Sequence, residues 1–386
     1  MKFENLLIIS NTFPDKKNTF IGGVFVKEQL NYIRKYFKEV TVISPVPRSL
    51  GLKEDDKYCK NYSYENVKVL FPRFSHLPVA YFRNRLGDNY FKAINKLIKK
   101  KNIKFDLIHA HFTWPSGYAG AKLKEKYKKP LVVTVHENRE WLLEEYISKN
   151  QKIYYSWKSP DALIRVNKID VSILKEFNKN VFSVPNGFDD SKFRYLDKTI
   201  CRKKLNLPQD KKILLTVSAL IERKGHIYSI EAMKEVIKKR RDVLYILGGS
   251  GPLKEKLQKR INDLNLQKYV KLIGFIPDEN LPLWMNSCNI FIFPSLSEGN
   301  PTVMFESLGC GIPFIGTKVG GIPEIINDNV GILAVPKNPK DLAENILIAL
   351  DKKWNHKFIL DYSKQFTWSN ITKKIIEIYE KINIKS

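Results

Sequence analysis

The 386-residue chain contains no apolar run approaching the ~18 residues needed to cross a bilayer. No segment therefore reads as a membrane-spanning helix. The opening MKFENLLIIS has only four consecutive apolar residues, Leu6–Ile9, and no small-residue cleavage site; it reads as a first strand, not a signal peptide. Cysteine is scarce. Cys59, Cys201, Cys288 and Cys310 are scattered without disulfide or metal-site spacing, which fits free thiols in a reducing cytoplasm. No 20–50-residue repeat or low-complexity tract is present, so a solenoid is excluded. No G-x-G-x-x-G follows the first strand, which disfavours a nicotinamide dehydrogenase, and no P-loop occurs. Acids are also in deficit: 40 Asp+Glu face 66 Lys+Arg, a formal charge of +26. That excess fits acidic partners such as nucleic acid, anionic lipid or phosphorylated small molecules, or simply a surface solvated by lysine.

What remains is a globular composition, 43% hydrophobic and 27% charged, in which short apolar runs alternate with helix-length amphipathic stretches. Leu6–Ser10, Val40–Ser44, Val67–Phe71, Asp106–His111, Leu131–His136, Ala162–Val166 and Val181–Val184 read as strands, with helices such as Val24–Phe37 and Tyr90–Lys101 between them. Runs without polar alternation are buried on both faces, as in parallel sheets. The pattern pauses at Pro185-Asn186-Gly187-Phe188-Asp189-Asp190, a turn-rich stretch. It resumes with Ile213–Val217, Val243–Leu247, Val270–Ile273, Ile290–Phe293 and Phe314–Gly316. The expected fold is α/β, with two doubly wound, Rossmann-like parallel sheets facing a cleft. The expected divisions are residues 1–187, 188–352, and a C-terminal helical segment, 353–386, packing back on the first domain. Ligands of such sheets bind beyond the carboxyl ends of the strands, so the loops there are where chemistry is sought.

The strongest of these loops follows Ile290–Phe293 and reads PSLSEGNPTVMFESLGCGIP. Pro301 suits the first position of a helix running to about Cys310, with Gly311 as its cap. The N–H groups of Thr302 and Val303 would then form an anion site. Glu298 stands in the loop before that site and Glu306 about one turn inside the helix, so one carboxylate can reach a sugar-like ligand and the other a hydroxyl pair. Acids favoured by the helix dipole would explain Glu298 in part and Glu306 poorly. After Ile213–Val217 comes Glu222-Arg223-Lys224-Gly225, whose two cations can clamp a diphosphate and stabilise its developing charge as a leaving group.

Glu298 and Glu306 with seven residues between them, in the context EGNPTVMFESLGCGIPFIGTKVGGIPEII, resemble the E-x7-E signature of glycosyltransferase family 4. The likeness extends over essentially the whole chain. NTFPDKKNTFIGGVFVKEQ in the first half, together with FIGTKVGG, is similar to members that assemble surface polysaccharides. The resemblance implies a GT-B fold and retaining transfer of a hexose from a nucleoside diphosphate sugar to a surface-glycan or lipid-linked acceptor. It implies that Glu298 contacts the transferred hexose and Glu306 the ribose hydroxyls, with Arg223 and Lys224 on the diphosphate. It places Gly22 and Gly23 along the donor diphosphate and acceptor, and Phe275 and Ile276 at the nucleobase. Asn300, Pro301, Thr302 and Val303 fall on the donor side. His136, in the T-x-H position of Thr134-Val135-His136, would hydrogen-bond the donor sugar or the incoming hydroxyl.

His109, His111 and His136 end neighbouring strands and could in principle share a metal. No acidic or cysteine ligand sits at a compatible spacing, and D-x-D, the metal–diphosphate motif of the other major glycosyltransferase fold, is absent. The expectation is no metal and no cofactor, the nucleotide sugar being a substrate. Lys96–Lys104 and Lys122–Lys129 lack the interleaved aromatics of a nucleic-acid platform, so no nucleic-acid partner is expected. Leu77–Phe82, followed by Arg83, Arg85 and the lysines through Lys104, suits an anionic membrane surface. The expected location is thus cytoplasmic, with peripheral contact at the inner membrane face. A nucleotide-sugar 2-epimerase of the same fold and a basic nucleic-acid-binding protein remain as alternatives.

Overall fold

A computed structural model of the chain describes residues 3–16, 22–48, 59–75 and 84–383. The chain forms two units: residues up to Pro185 together with those from Trp368 onward, and Asn186–Thr367.

The first unit carries β1 (Asn5–Ser10), β2 (Glu39–Ile43), β3 (Val46–Arg48), β4 (Tyr62–Tyr64), β5 (Val67–Leu70), β6 (Arg73–Ser75), β7 (Leu107–His111), β8 (Leu131–Val135), β9 (Ala162–Arg165) and β10 (Val181–Ser183). Its main sheet runs β10-β9-β8-β7-β1-β2-β5-β4, and β3 pairs with β6 alone. Every pair is parallel except β4 against β5. The continuous apolar runs have the expected cause. Leu6 and Ile8 pack on one face of the sheet with Val26 and Leu30, while Leu7 and Ile9 pack on the other with Ile94 and Leu123.

The second unit carries β11 (Lys212–Val217), β12 (Val243–Gly248), β13 (Val270–Gly274), β14 (Ile290–Phe293), β15 (Phe314–Thr317) and β16 (Gly331–Ala334), ordered β13-β12-β11-β14-β15-β16 and all parallel. Neighbouring residues again divide between the faces: Leu215 packs with Phe291 and Phe305, Leu214 with Ile230 and Met233. Strand order reverses between β1 and β7 in the first sheet and between β11 and β14 in the second. Those two points are where an open parallel sheet leaves room for a ligand.

The divisions differ from the sequence expectation in two respects. The second unit begins at Asn186, two residues before the expected boundary. Residues 353–367 belong to the second unit: Ile359 and Phe366 lie in its core, and His356 Nδ1 donates to Gly311 O at 2.7 Å. Only the chain from Trp368 joins the first unit. Helix Trp368–Asn383 presents Trp368, Ile371, Ile375, Tyr379 and Ile382 to the core of β1 and β2, a spacing of three and four residues that makes one helical stripe. Trp368 Nε1 also donates to Glu28 Oε2 at 3.4 Å. Among the described residues no helix is long and apolar enough to cross a membrane.

Candidate active site

In the second unit the candidate residues Arg223, Lys224 and Glu298 gather at the switch point. β11 feeds a loop whose short turn Glu222–Lys224 ends at Gly225, φ +65°, before helix His226–Lys239 begins. A side chain there would place its Cβ 2.1 Å from Pro294 O, in the loop after β14, so only glycine lets the two loops meet. They are also tied by a hydrogen bond, Leu296 N donating to Arg223 O at 2.8 Å, with Ser295 Oγ 3.0 Å from the same carbonyl. His226 Nε2 donates to Ala219 O at 3.1 Å, which pins the start of the loop, and burial lowers its pKa to about 4.

This scaffold brings Glu298, Lys224 and Arg223 together. Glu298 is buried, and its Oε1 accepts from Lys224 Nζ at 2.7 Å and Ser295 Oγ at 2.5 Å, with Arg223 Nη1 at 3.1 Å. Arg223 Nη1 also donates to Ser297 O at 2.7 Å. The Lys224 side chain is only 14% exposed, and its ammonium lies 4.8 Å from the Phe293 ring centroid. Burial lowers the Lys224 pKa, and the Glu298 carboxylate opposes that shift. One carboxylate oxygen therefore engages both cations that the sequence assigned to a diphosphate.

Helix Thr302–Gly309 starts one residue later than expected, with Pro301 as its N-cap at ψ 128°. Proline has no N–H to leave unsatisfied in either position. The first amides of the helix, Thr302 and Val303, have no intrahelical acceptor. The helix closes at Cys310, and Gly311 follows at φ +74°. Glu306 is buried on this helix. Asn300 is anchored: its Oδ1 accepts from Asn186 N at 3.0 Å and its carbonyl from Asn186 Nδ2 at 2.6 Å, leaving Asn300 Nδ2 buried without a partner among the described residues. Phe275 is 51% exposed in the loop after β13. Ile276 turns inward against Gly248, so the two neighbours face different surroundings.

In the first unit Gly23, φ +75°, caps helix Val24–Ile33, and a Cβ there would lie 2.4 Å from Thr12 O. Gly22 precedes it. Phe20 and Ile21 of the same stretch, and the Leu77–Phe82 loop with Arg83, lie outside the described residues. His136 follows β8, and its Nε2 lies 2.9 Å from His111 Nδ1, at the end of β7. His109 is engaged separately, its Nδ1 at 2.6 Å from Tyr379 Oη and its Nε2 at 2.7 Å from Thr134 Oγ1. Burial holds all three imidazoles neutral, His111 down to about 3 and the other two well below the ordinary value. Among the described residues no group of three His, Cys, Asp or Glu side chains is posed to hold a metal ion.

Sequence reasoning missed the supports of this site. Arg165 is fully buried; its Nη1 donates to Val135 O at 2.9 Å and Glu137 O at 2.6 Å, the carbonyls on either side of His136. Its Nη2 pairs with Asp170 at 2.6 Å. The available signal was an arginine within the apolar strand ALIRV. Glu137, also buried, accepts from Thr113 N at 2.7 Å through Oε1, and burial raises its pKa.

Two family matches divide the chain much as the fold does. The family described as Glycosyltransferase Family 4 matches residues 22–192, and that described as Glycosyl transferases group 1 matches residues 197–366. The chain belongs to the glycosyltransferases of family 4 type. An uncharacterized glycosyltransferase of Methanocaldococcus jannaschii is 28% identical over 386 residues, covering 98% of this chain and all of the relative. A putative teichuronic acid biosynthesis glycosyltransferase of Bacillus subtilis is 28% identical over 357 residues, 88% of each chain. The GT-B fold is shared with sucrose-phosphate synthase from Thermosynechococcus elongatus (TM-score 0.80, 19% identity, 99% and 100% of the two chains). It is also shared with Anabaena HepE in complex with UDP-glucose (TM-score 0.74, 18% identity, 98% and 99%).

Proposed function

We propose that this glycosyltransferase moves a hexose from a nucleoside diphosphate sugar to a surface-glycan or lipid-linked acceptor, with retention of configuration and without a metal. The observation that carries the reading is the Glu298–Lys224–Arg223 cluster at the β11/β14 switch point, in the loop that leads into helix Thr302–Gly309. Lys224 and Arg223 would take charge developing on the leaving diphosphate, and the Thr302 and Val303 amides would supply neutral donors to the same anion. Glu298 would hold the sugar and Glu306 the ribose hydroxyls. His136 would hydrogen-bond the sugar or the incoming hydroxyl. A front-face course fits best: the C1–phosphate bond breaks, the acceptor oxygen bonds C1 on the same face, and its proton passes to the departing phosphate. Double displacement would need a carboxylate nucleophile. Glu137, the buried acid beside His136, has a raised pKa and spends one oxygen on a backbone amide.

Related proteins support the donor and product classes. HepE binds UDP-glucose, and relatives are named for teichuronic acid and amylovoran biosynthesis. The exposed lysines closing helix Leu86–Lys101 support contact with an anionic leaflet, as a lipid-linked acceptor would require. The test is thermal stabilisation across UDP-, GDP-, ADP- and dTDP-sugars, followed by transfer assays in excess EDTA. A ligand at 100 times its Kd adds about 2.7 kcal/mol. Epimerisation of the donor without an acceptor, or EDTA inhibition reversed by Mg²⁺, would overturn the reading.

A further inference from the structure

His109 lies within β7 and His136 just after the adjacent β8, and their hydrogen bonding differs. Both nitrogens of His109 are matched, by Tyr379 and Thr134, as expected of a histidine that serves the fold. In His136 only Nε2 is matched, by His111; Nδ1 is buried and has no partner among the described residues. The two rings lie nearly parallel, 12° apart with centroids at 5.2 Å, while Phe25 and Phe112 close on His136 at 4.9 and 5.1 Å. Two neutral imidazoles facing each other through nitrogen form a hydrogen bond only if one brings a proton and the other a lone pair.

We propose that His111 is a positioning residue for His136: the one proton shared between His111 Nδ1 and His136 Nε2 fixes the His136 ring and its tautomer, and so decides whether Nδ1 offers the ligand a donor or a lone pair. With His111 donating, His136 carries its own proton on Nδ1 and donates to a sugar or acceptor oxygen. With His111 accepting, Nδ1 is bare and receives a hydroxyl proton. The bond on one ring nitrogen thereby dictates the chemistry of the other. Arg165, holding the carbonyls of Val135 and Glu137, fixes the backbone on which that ring turns. The ligand role of His136 rests on the function proposed above; the tautomer control does not.

The full chain labelled with ¹⁵N-histidine tests it, with the His136 signal assigned by its loss in His136→Ala. Long-range ¹H–¹⁵N correlations at pH 7.5 should show one His136 tautomer in the native protein and a mixture in His111→Ala. His111→Asn places an amide where Nδ1 stood and should restore a single form. His111→Gln carries the amide one carbon too far and should not. An unchanged single tautomer in His111→Ala overturns the proposal. If that variant fails to fold, identical His136 spectra for His111→Asn and His111→Gln overturn it instead.

With UDP-glucose as the probe, His111→Ala should lower kcat about 10- to 100-fold, the scale of a misplaced reacting group, with KM little changed. Its acid limb should move up in pH as water replaces the ring beside His136. The groups facing His136 are His111 from β7 and the Arg165 guanidinium from β9; Phe25 and Phe112 carry no charge, and the Glu137 carboxylate turns to Thr113 N. Full activity in His136→Ala would remove the proposed ligand role and leave the tautomer result standing. An inactive His136→Ala with an unchanged tautomer in His111→Ala would remove this inference alone.

Discussion

Glu298 both serves the proposed chemistry and competes with its ligand, and Glu298→Gln separates the two roles. Its Oε1 holds Lys224 Nζ at 2.7 Å and Arg223 Nη1 at 3.1 Å, so a diphosphate must draw those cations away from an internal anion. Glutamine keeps the size and the Ser295 hydrogen bond but removes the charge. Lys224, 14% exposed, accounts for most of the effect; Arg223, 34% exposed, is screened by water and contributes less. A charge-assisted hydrogen bond is worth about 1.5–3 kcal/mol. At about 1.4 kcal/mol per tenfold, losing the competitor should tighten pyrophosphate and UDP binding by about 10- to 100-fold. Turnover should move the opposite way, falling by about 10² if the carboxylate holds the sugar in the transition state. Calorimetry with pyrophosphate and with UDP at low salt, beside turnover with UDP-glucose, reads both. Equal or weaker pyrophosphate binding in Glu298→Gln would refute the competition argument, because pyrophosphate carries no sugar for Glu298 to hold.

Three further outcomes follow from the geometry. The folded-state pKa values of His109, His111 and His136 are depressed by burial, so the unfolded chain takes up protons first as pH falls below about 6.5. The stability these neutral rings contribute is complete above that pH and is lost downward, toward about 3 for His111, at up to about 1.4 kcal/mol per pH unit per ring; urea titrations at pH 7.5, 6.0 and 5.0 should show the decline, and a flat profile contradicts it. Tyr379→Phe leaves His109 Nδ1 buried without its partner at 2.6 Å and should cost about 1–3 kcal/mol in urea unfolding of the first unit, with no loss if the bond is dispensable. Gly225→Ala puts a side chain at φ +65° and 2.1 Å from Pro294 O; left-handed backbone alone costs about 1–2 kcal/mol, so the melting temperature and turnover should both fall, and an unchanged melting temperature speaks against the packed turn.

Periodicity revealed the main strands because they are buried on both faces and read as unbroken apolar runs. It passed over β3, β4 and β6, three-residue strands whose side chains are mostly partly or fully exposed, and β16, which is half buried. The candidate residues of the second unit could be picked out one by one, since glycines, acids and cations follow recognisable strands. Their mutual engagement was not: Lys224 and Glu298 are 74 positions apart, and no local pattern encodes the folding that joins them. Arg165 illustrates another limit. A charge inside an apolar run can mean an edge, a bulge or a buried clamp, and only the carbonyls of Val135 and Glu137 decide for the clamp. The helix N-terminus at Pro301 was displaced by a single residue, because a proline with no amide to give is equally at home on either side of the cap.

The returning helix Trp368–Asn383 makes the order of synthesis differ from the order of completion. The first unit contains β1, yet Trp368, Ile371, Ile375 and Tyr379 are part of its core, so its packing cannot close until residues 368–379 have left the ribosome. The second unit is whole by Thr367, where Phe188 and Thr367 bridge and Phe188 N donates to Phe366 O at 3.1 Å, fastening its two ends side by side. Synthesis usually lets the leading domain fold first. Here the middle of the polypeptide is finished earlier than its beginning. A nascent chain stalled before residue 368 would carry a finished second unit and an open first sheet, and a stop codon just ahead of Trp368 would leave unfinished the unit that was begun first.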